Sequence, residues 1–180
     1  MVYFMIAGAA VAAIAAWTDS RSGQIPNWLT FGAAAIGVVA HAFFGWKLGD
    51  GWRSAVGEGG RSLGGLLVCS AVPGFMYGRG AIGGGDVKLF AALGALCLPM
   101  AGLEVETYSF VAAALIAPAK LAYQGVLLKT LARSVTLAVN PFRKPHQRRE
   151  IPAETMTWFR LGPSILLGAA ATVLAHWGIR

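Results

Sequence analysis

Apolar segments dominate this chain and limit what it can fold into. Six of them follow one another along the sequence: Val2–Trp17, Trp28–Trp46, Ser62–Tyr77, Val87–Leu103, Thr107–Leu128 and Leu161–Ile179. A helix that spans a bilayer needs about 20 apolar residues, with a range of about 17 to 25. Only 13% of the 180 residues are charged, which is too few for an ordinary soluble domain of this size. We therefore predict an all-α membrane protein in which residues 1–180 form a single domain, a bundle of about six transmembrane helices.

The basic residues between these segments predict the orientation of the chain. Lys and Arg are enriched in cytoplasmic loops. The first, third and fifth loops are basic, and the fifth, at residues 129–160, carries most of the formal net charge of +7. The fourth loop holds Glu104 and Glu106 and no basic residue. We expect the odd-numbered loops to be cytoplasmic and the N-terminus to lie outside. Because basic residues beside spanning helices are topology signals, the expected partner of loop 129–160 is the lipid surface, not nucleic acid.

Two of the three aspartates stand where an apolar segment meets water. Asp19 follows the first segment, and Asp86 comes directly before the fourth. An ionisable side chain at membrane depth is costly and marks a functional site by default. The predicted orientation places both on the cytoplasmic side. If two carboxyl groups come within hydrogen-bonding reach, one keeps a proton while the other stays charged. The charged one can act as a general base on water and the protonated one can polarise a peptide carbonyl, which predicts aspartyl proteolysis.

The residues after Asp19 predict a tight turn out of the membrane and back. Gly23, Pro26 and Asn27 are residues typical of turns. Pro26 suits the first turn of the next helix, because an N–H at that position would have no intrahelical partner. Asn27 is a candidate hydrogen-bond donor to the loop that carries Asp19, and a plain capping role is equally expected. Arg21 is a candidate partner of Asp19 or of a substrate carboxylate. Snorkelling of Arg21 to lipid phosphates is an equally open interpretation.

A glycine run, Gly83, Gly84 and Gly85, comes directly before Asp86. Each glycine is about 1 kcal/mol worse than Ala in a helix interior, yet it lets another backbone come close. We therefore expect an extended peptide to lie beside Asp86, whose carboxylate would be favoured by the positive start of the following helix. Lys88 is expected to be an anchor at the cytoplasmic interface or a residue that supports the site.

The cysteines and histidines indicate neither a metal nor a cofactor. Cys69 and Cys97 form no CxxC motif, and His41, His146 and His176 share no ligand-like spacing. We expect no metal, no cofactor, and cysteines that pack as small hydrophobic side chains.

Two stretches resemble the type IV prepilin peptidases, membrane aspartyl proteases of the GxGD class. They are Asp19-Ser20-Arg21 with Ile25-Pro26-Asn27, and Gly83-Gly84-Gly85-Asp86-Val87-Lys88-Leu89. Gly162-Pro163 is a weaker similarity to the start of the family's last helix. The resemblance implies that Asp19 and Asp86 are the catalytic pair. It further implies that substrate binding or support of the site falls to Arg21, Pro26, Asn27, Gly83, Gly84, Gly85 and Lys88.

The implied activity is removal of the short basic leader from prepilins or pseudopilins at the cytoplasmic face of the bacterial inner membrane. The small size is similar to the minimal branch that processes Flp-type pilins. Larger members carry a cysteine-bearing segment associated with zinc and N-methylation, so we expect no methyltransferase activity here. The particular prepilin and the oligomeric state stay open.

Three other functions remain as alternatives: a proton-coupled transporter, a pilus-assembly scaffold, and a GxGD protease with other membrane substrates. A transport carboxylate is expected near the middle of the bilayer. The predicted positions of Asp19 and Asp86, both near one face, favour the protease. A scaffold would keep its function when either aspartate is lost.

Overall fold

The described part of the chain is all helical. A computed structural model describes residues 2–123, 125, 128, 131–132 and 160–178. Within these residues there are five helices: α1 (Val2–Ser22), α2 (Asn27–Leu48), α3 (Trp52–Gly78), α4 (Gly84–Tyr123) and α5 (Gly162–Trp177). Helices α1, α2 and α4 are long and apolar enough to cross a membrane, and α5 is a shorter apolar helix. The all-α class is confirmed for this part, whereas six crossings and an outside N-terminus stay predictions.

The chain divides into two compact units by its contacts. Residues Met1–Ala112 and Arg160–Arg180 form the first, and Ala113–Phe159 form the second. The contacts described below all lie within the first unit. Most of the predicted basic loop at residues 129–160 lies outside the described residues, and the single domain over residues 1–180 stays a prediction.

The helices extend beyond the apolar segments at several ends. Helix α1 runs to Ser22, so Asp19 lies in its last turn. Helix α3 begins at Trp52 and includes charged residues that the sequence assigned to the second loop. Two of these, Glu58 and Arg61, form an ion pair of 2.9 Å one helical turn apart, which suits an exposed helix face.

Helix α4 folds back on itself at Leu98. This residue has φ 67° and ψ 167°, outside the helical region. The rings of Phe90 and Phe110 stack with their centroids 5.5 Å apart. A straight helix rises 1.5 Å per residue and would hold these rings about 30 Å apart. The segment before Leu98 and the segment after it therefore run antiparallel, and we call them the first and second arms of the α4 hairpin.

The predicted fourth loop at Glu104 and Glu106 was wrong. Both residues are helical, and the reversal comes earlier, at Leu98 and Pro99. The prediction failed because both glutamates lie inside α4 and not in a loop. Glu104 accepts a 2.7 Å contact from Nε2 of His176 on α5, and Glu106 is buried.

Side chains from α2 and α3 satisfy the carbonyl groups freed by this reversal. Pro99 has no N–H, so the carbonyl of Ala95 loses its intrahelical donor. The hydroxyl of Ser62 donates to that carbonyl over 2.7 Å. Nε2 of His41 donates to the carbonyl of Leu96 over 2.9 Å. The turn of the α4 hairpin is thus hydrogen-bonded to both neighbouring helices in the buried core.

Glycines let the first arm of α4 lie directly against α2 and α3. A Cβ on Gly65 of α3 would overlap the carbonyl oxygen of Gly94, and the reverse also holds. A Cβ on Gly37 of α2 would come within 2.9 Å of the carbonyl carbon of Ala95. Small residues permit such approaches in helices that pack inside a membrane. This packing fixes the arm whose start carries Asp86.

Candidate active site

Asp19 is a buried carboxyl group held at the junction of α1 and α5. Helix α1 ends at Ser22, and the next residue, Gly23, has φ 69° and donates its N–H to the carbonyl of Asp19 over 2.9 Å. This left-handed glycine is a common helix terminator. The Asp19 side chain is only 7% exposed, and its Oδ2 accepts the backbone N–H of Gly162 over 3.2 Å. Because Gly162 begins α5, the positive end of that helix faces the carboxylate.

Glycine at position 162 lets α5 contact Asp19 without displacing its carboxyl group. A Cβ there would lie 2.8 Å from Oδ2 and 3.0 Å from Cβ of Asp19, and 3.1 Å from Cα of Ala16. The carboxyl group of Asp19 would have to move to make room for it. Gly162 therefore serves the site through its missing side chain as well as through its N–H.

Asp86 lies in the first turn of α4 and is half-buried. Its Oδ2 accepts the N–H of Gly83 over 3.2 Å, and its own N–H donates to the carbonyl of Gly83 over 3.1 Å. A carboxylate that reaches back from the third helical residue to the cap residue is one half of a capping box. The start of α4 thereby fixes the orientation of the Asp86 side chain.

Contacts of Ile25 with Gly85 and of Asn27 with Lys88 bring the turn after Asp19 against the start of α4, which carries Asp86. The two aspartates come from the end of α1 and the start of α4, and α5 begins beside Asp19. Two helix N-termini therefore supply amide donors to the two carboxyl groups. Such an arrangement can hold one charged and one protonated carboxyl beside a water molecule.

The glycine run has close neighbours within the chain itself. Gly84 and Gly85 belong to the first turn of α4. The glycine penalty applies to helix interiors, and these residues stand at the start of one. A Cβ on Gly84 would lie 3.4 Å from the ring of Tyr77, and a Cβ on Gly85 would lie 3.3 Å from Cβ of Ile25. The turn after α1 thus packs against the start of α4.

A hydrogen bond joins the two sequence motifs. Nζ of Lys88 on α4 donates to Oδ1 of Asn27, the first residue of α2, over 2.9 Å. The same ammonium group lies 5.5 Å from the ring centroid of Phe31. Pro26 has φ −63° and is the cap residue just before α2, one position before the first helical turn in which we expected it. From the sequence we expected separate roles for Lys88 and Asn27, and we did not predict the hydrogen bond between them.

Arg21 does not form the predicted ion pair with Asp19. Its guanidinium lies 4.6 Å from the ring centroid of Trp17, on the exposed side of α1. Among the described residues, the ion pairs are Arg61 with Glu58 and His176 with Glu104. Any contact of Arg21 with lipid or substrate stays a prediction.

A different arginine contacts the end of α1. Arg160 donates through Nη1 to the carbonyl of Ser20, the residue after Asp19. By its position in the sequence, Arg160 is one of the basic residues of the fifth loop. Because Arg160 and Ser20 are far apart in sequence, the sequence did not predict this contact. The similarity at Gly162-Pro163 lies in the same region of the chain.

The cysteines and histidines of the described residues do not form a metal-binding site. No group of three or more His, Cys, Asp or Glu residues there has the arrangement to hold a metal ion. Cys69 and Cys97 are buried free thiols. His41 is engaged with the Leu96 carbonyl and stacks on Phe4 with the ring centroids 4.0 Å apart.

The apolar helices suggest a membrane protein, and a family match gives its class, a peptidase. Residues 6–118 match the type IV leader peptidase family. This match covers more than half of the chain and includes both Asp19 and Asp86. The chain belongs to that family. Arg160 and Gly162 lie beyond the matched residues, and searches of curated proteins and of solved structures found no match.

Proposed function

We propose that this protein is a prepilin leader peptidase with Asp19 and Asp86 as its catalytic pair. It hydrolyses the peptide bond between the basic leader and the hydrophobic segment of a Flp-type prepilin or pseudopilin. The active site faces the cytoplasm at the bacterial inner membrane. The observation that carries the proposal is the contact of the turn that follows Asp19 with the start of α4 that carries Asp86, in a chain of the type IV leader peptidase family.

The chemistry uses one proton shared by the pair and one water molecule. The charged aspartate removes a proton from the water molecule while the water oxygen attacks the peptide carbonyl carbon. The protonated aspartate gives its proton to the carbonyl oxygen, which produces a tetrahedral diol. The C–N bond then breaks as the first aspartate protonates the leaving nitrogen and the second takes back a hydroxyl proton. The products are the free carboxyl group of the leader and a new N-terminal amine on the pilin.

The surroundings of the pair suit this reaction. The amides of Gly162 and Gly83 donate to Oδ2 of Asp19 and Oδ2 of Asp86, so each carboxyl group has one oxygen held in a fixed orientation. Preorganised donors of this kind need no rearrangement when charge develops. The exposed apolar side chains of α2, among them Phe31, Ile36 and Val39, suit contact with lipid and with the hydrophobic segment of a substrate.

The decisive experiment is leader removal by the purified protein. The protein is reconstituted in liposomes and incubated with a Flp-type prepilin, and the N-terminus of the product is sequenced. We expect one new N-terminus at the junction of leader and hydrophobic segment. A prepilin without its basic leader serves as the control and should yield no product. Failure to cleave any of a panel of prepilins, by a protein that is correctly inserted and folded, would reject the proposal.

A further inference from the structure

Arg160 and Gly162 form hydrogen bonds with two consecutive residues at the end of α1, Ser20 and Asp19. The guanidinium of Arg160 donates to the carbonyl of Ser20, and the N–H of Gly162 donates to the carboxylate of Asp19 over 3.2 Å. The first contact holds the backbone of α1 and the second holds a side chain. A segment far along the chain thus fixes both the position and the direction of one carboxyl group.

The local charges explain why an arginine suits this place. The last carbonyls of a helix have no intrahelical donors and carry the negative end of its dipole. A cation there stabilises the helix end, and Arg160 lies over the last turn of α1, within 3.6 Å of the place a Cβ on Gly23 would occupy. Its planar group with several N–H donors is well suited to binding backbone oxygens.

Arg21 does not serve this purpose, although it is closer in sequence. Its guanidinium stacks on the ring of Trp17, away from the terminal carbonyls. The end of α1 therefore receives its cation from the segment just before α5. This leaves the last turn of α1, and with it Asp19, dependent on a residue outside both aspartate motifs.

We propose that Arg160 is a positioning residue for leader cleavage, acting through the carbonyl of Ser20 to keep Asp19 in its reactive place. The inference rests on the proposed peptidase function. Arg160 touches neither water nor substrate in the reaction. Its loss lets the last turn of α1 shift relative to Gly162, and a displacement of about 1 Å at a reacting group can cost roughly 100-fold in rate.

Steady-state cleavage kinetics of Arg160→Ala and Arg160→Lys test this role. For Arg160→Ala we expect kcat to fall roughly 10- to 100-fold while KM stays within about twofold, because substrate binding is unchanged. Arg160→Lys keeps a charged N–H donor and should recover a large part of kcat. Thermal unfolding in detergent should differ little from wild type, since the contact is exposed at the surface.

Arg61→Ala is the matched control. Arg61 is exposed, and its ion pair among the described residues is with Glu58 on its own helix, so this variant should cleave at the wild-type rate. A rise in KM with unchanged kcat in Arg160→Ala would overturn the inference and make Arg160 a substrate-binding residue. Wild-type kinetics in that variant would overturn it as well. Absence of cleavage by the wild-type protein would instead reject the peptidase function itself.

Discussion

Lys88 donates a 2.9 Å hydrogen bond to the side chain of Asn27. These residues belong to the two motifs that carry Asp19 and Asp86, and 61 positions separate them in sequence. Their contact ties the start of α2 to the first arm of the α4 hairpin. Since Ile25 also packs against Gly85, the turn after α1 and the start of α4 form one continuous contact beside the two aspartates.

We expect Lys88→Met and Asn27→Ala each to lower kcat/KM for leader cleavage by roughly 3- to 5-fold, because each releases the same contact. The double variant should be no worse than either single one. A double-mutant cycle should give a coupling energy of about 0.5–1 kcal/mol for this exposed pair. Lys47→Met, at the opposite end of α2, is the control and should be neutral. Strictly additive losses in the double variant would show that the two residues act separately.

Gly162→Ala should inactivate the enzyme by displacing Asp19. The added Cβ would lie 2.8 Å from Oδ2 of Asp19, so the carboxyl or α5 must move. We expect kcat to fall by roughly 100-fold. Gly178→Ala, just beyond the other end of α5, is matched because nothing lies within 4 Å of its Cβ position. Near-normal cleavage by Gly162→Ala would mean that the α5 contact does not position Asp19.

Ser62→Ala should destabilise the α4 hairpin. The variant leaves the buried carbonyl of Ala95 without the donor that replaces the missing N–H of Pro99. An unsatisfied buried acceptor costs about 1–3 kcal/mol. Thermal unfolding in detergent, followed by circular dichroism, should show a lower midpoint. The hydroxyl of Ser70, on the same helix, donates to the carbonyl of Leu67 one turn away, so Ser70→Ala should leave the midpoint nearly unchanged. Equal midpoints for wild type and Ser62→Ala would contradict the role assigned to this bond.

Gly65→Ala and Gly64→Ala form a matched pair that tests the contact of α3 with α4. A Cβ on Gly65 would overlap the carbonyl oxygen of Gly94, whereas nothing lies within 4 Å of a Cβ on Gly64. Overpacking of this kind costs typically 1–3 kcal/mol. The midpoint of thermal unfolding should fall clearly for Gly65→Ala, while Gly64→Ala should stay the same or rise, since alanine favours a helix. Equal effects of the two substitutions would disprove the backbone contact.

Hydropathy identified most of the helices because a bilayer-spanning helix needs a long run of apolar residues. It failed where acidic residues lie inside a helix. Glu104 and Glu106 suggested a loop, yet Glu104 pairs with His176. The reversal at Leu98 and Pro99 lies inside an apolar run, where hydropathy carries no signal for a turn.

The site was partly predictable for a different reason. Asp19 and Asp86 stand out as carboxyl groups beside apolar segments, and membrane energetics marks such residues directly. Arg160 and Gly162 carry no comparable signal, because basic residues and glycines are common near helix ends. Their contacts with Ser20 and Asp19 depend on how α5 packs against α1, which only the folded chain specifies.

The proposal that Asp19 and Asp86 share one reaction is tested by cleavage of a prepilin with Asp19→Asn, Asp86→Asn and Asp50→Asn proteins in liposomes. Asp50 is the third aspartate and lies exposed at the turn between α2 and α3. The first two substitutions should each reduce kcat at least roughly 100-fold, as expected when a general acid or base is lost. Asp50→Asn should cleave normally, and all three should insert and accumulate like wild type. Normal leader removal by either Asp19→Asn or Asp86→Asn would contradict the two-aspartate mechanism.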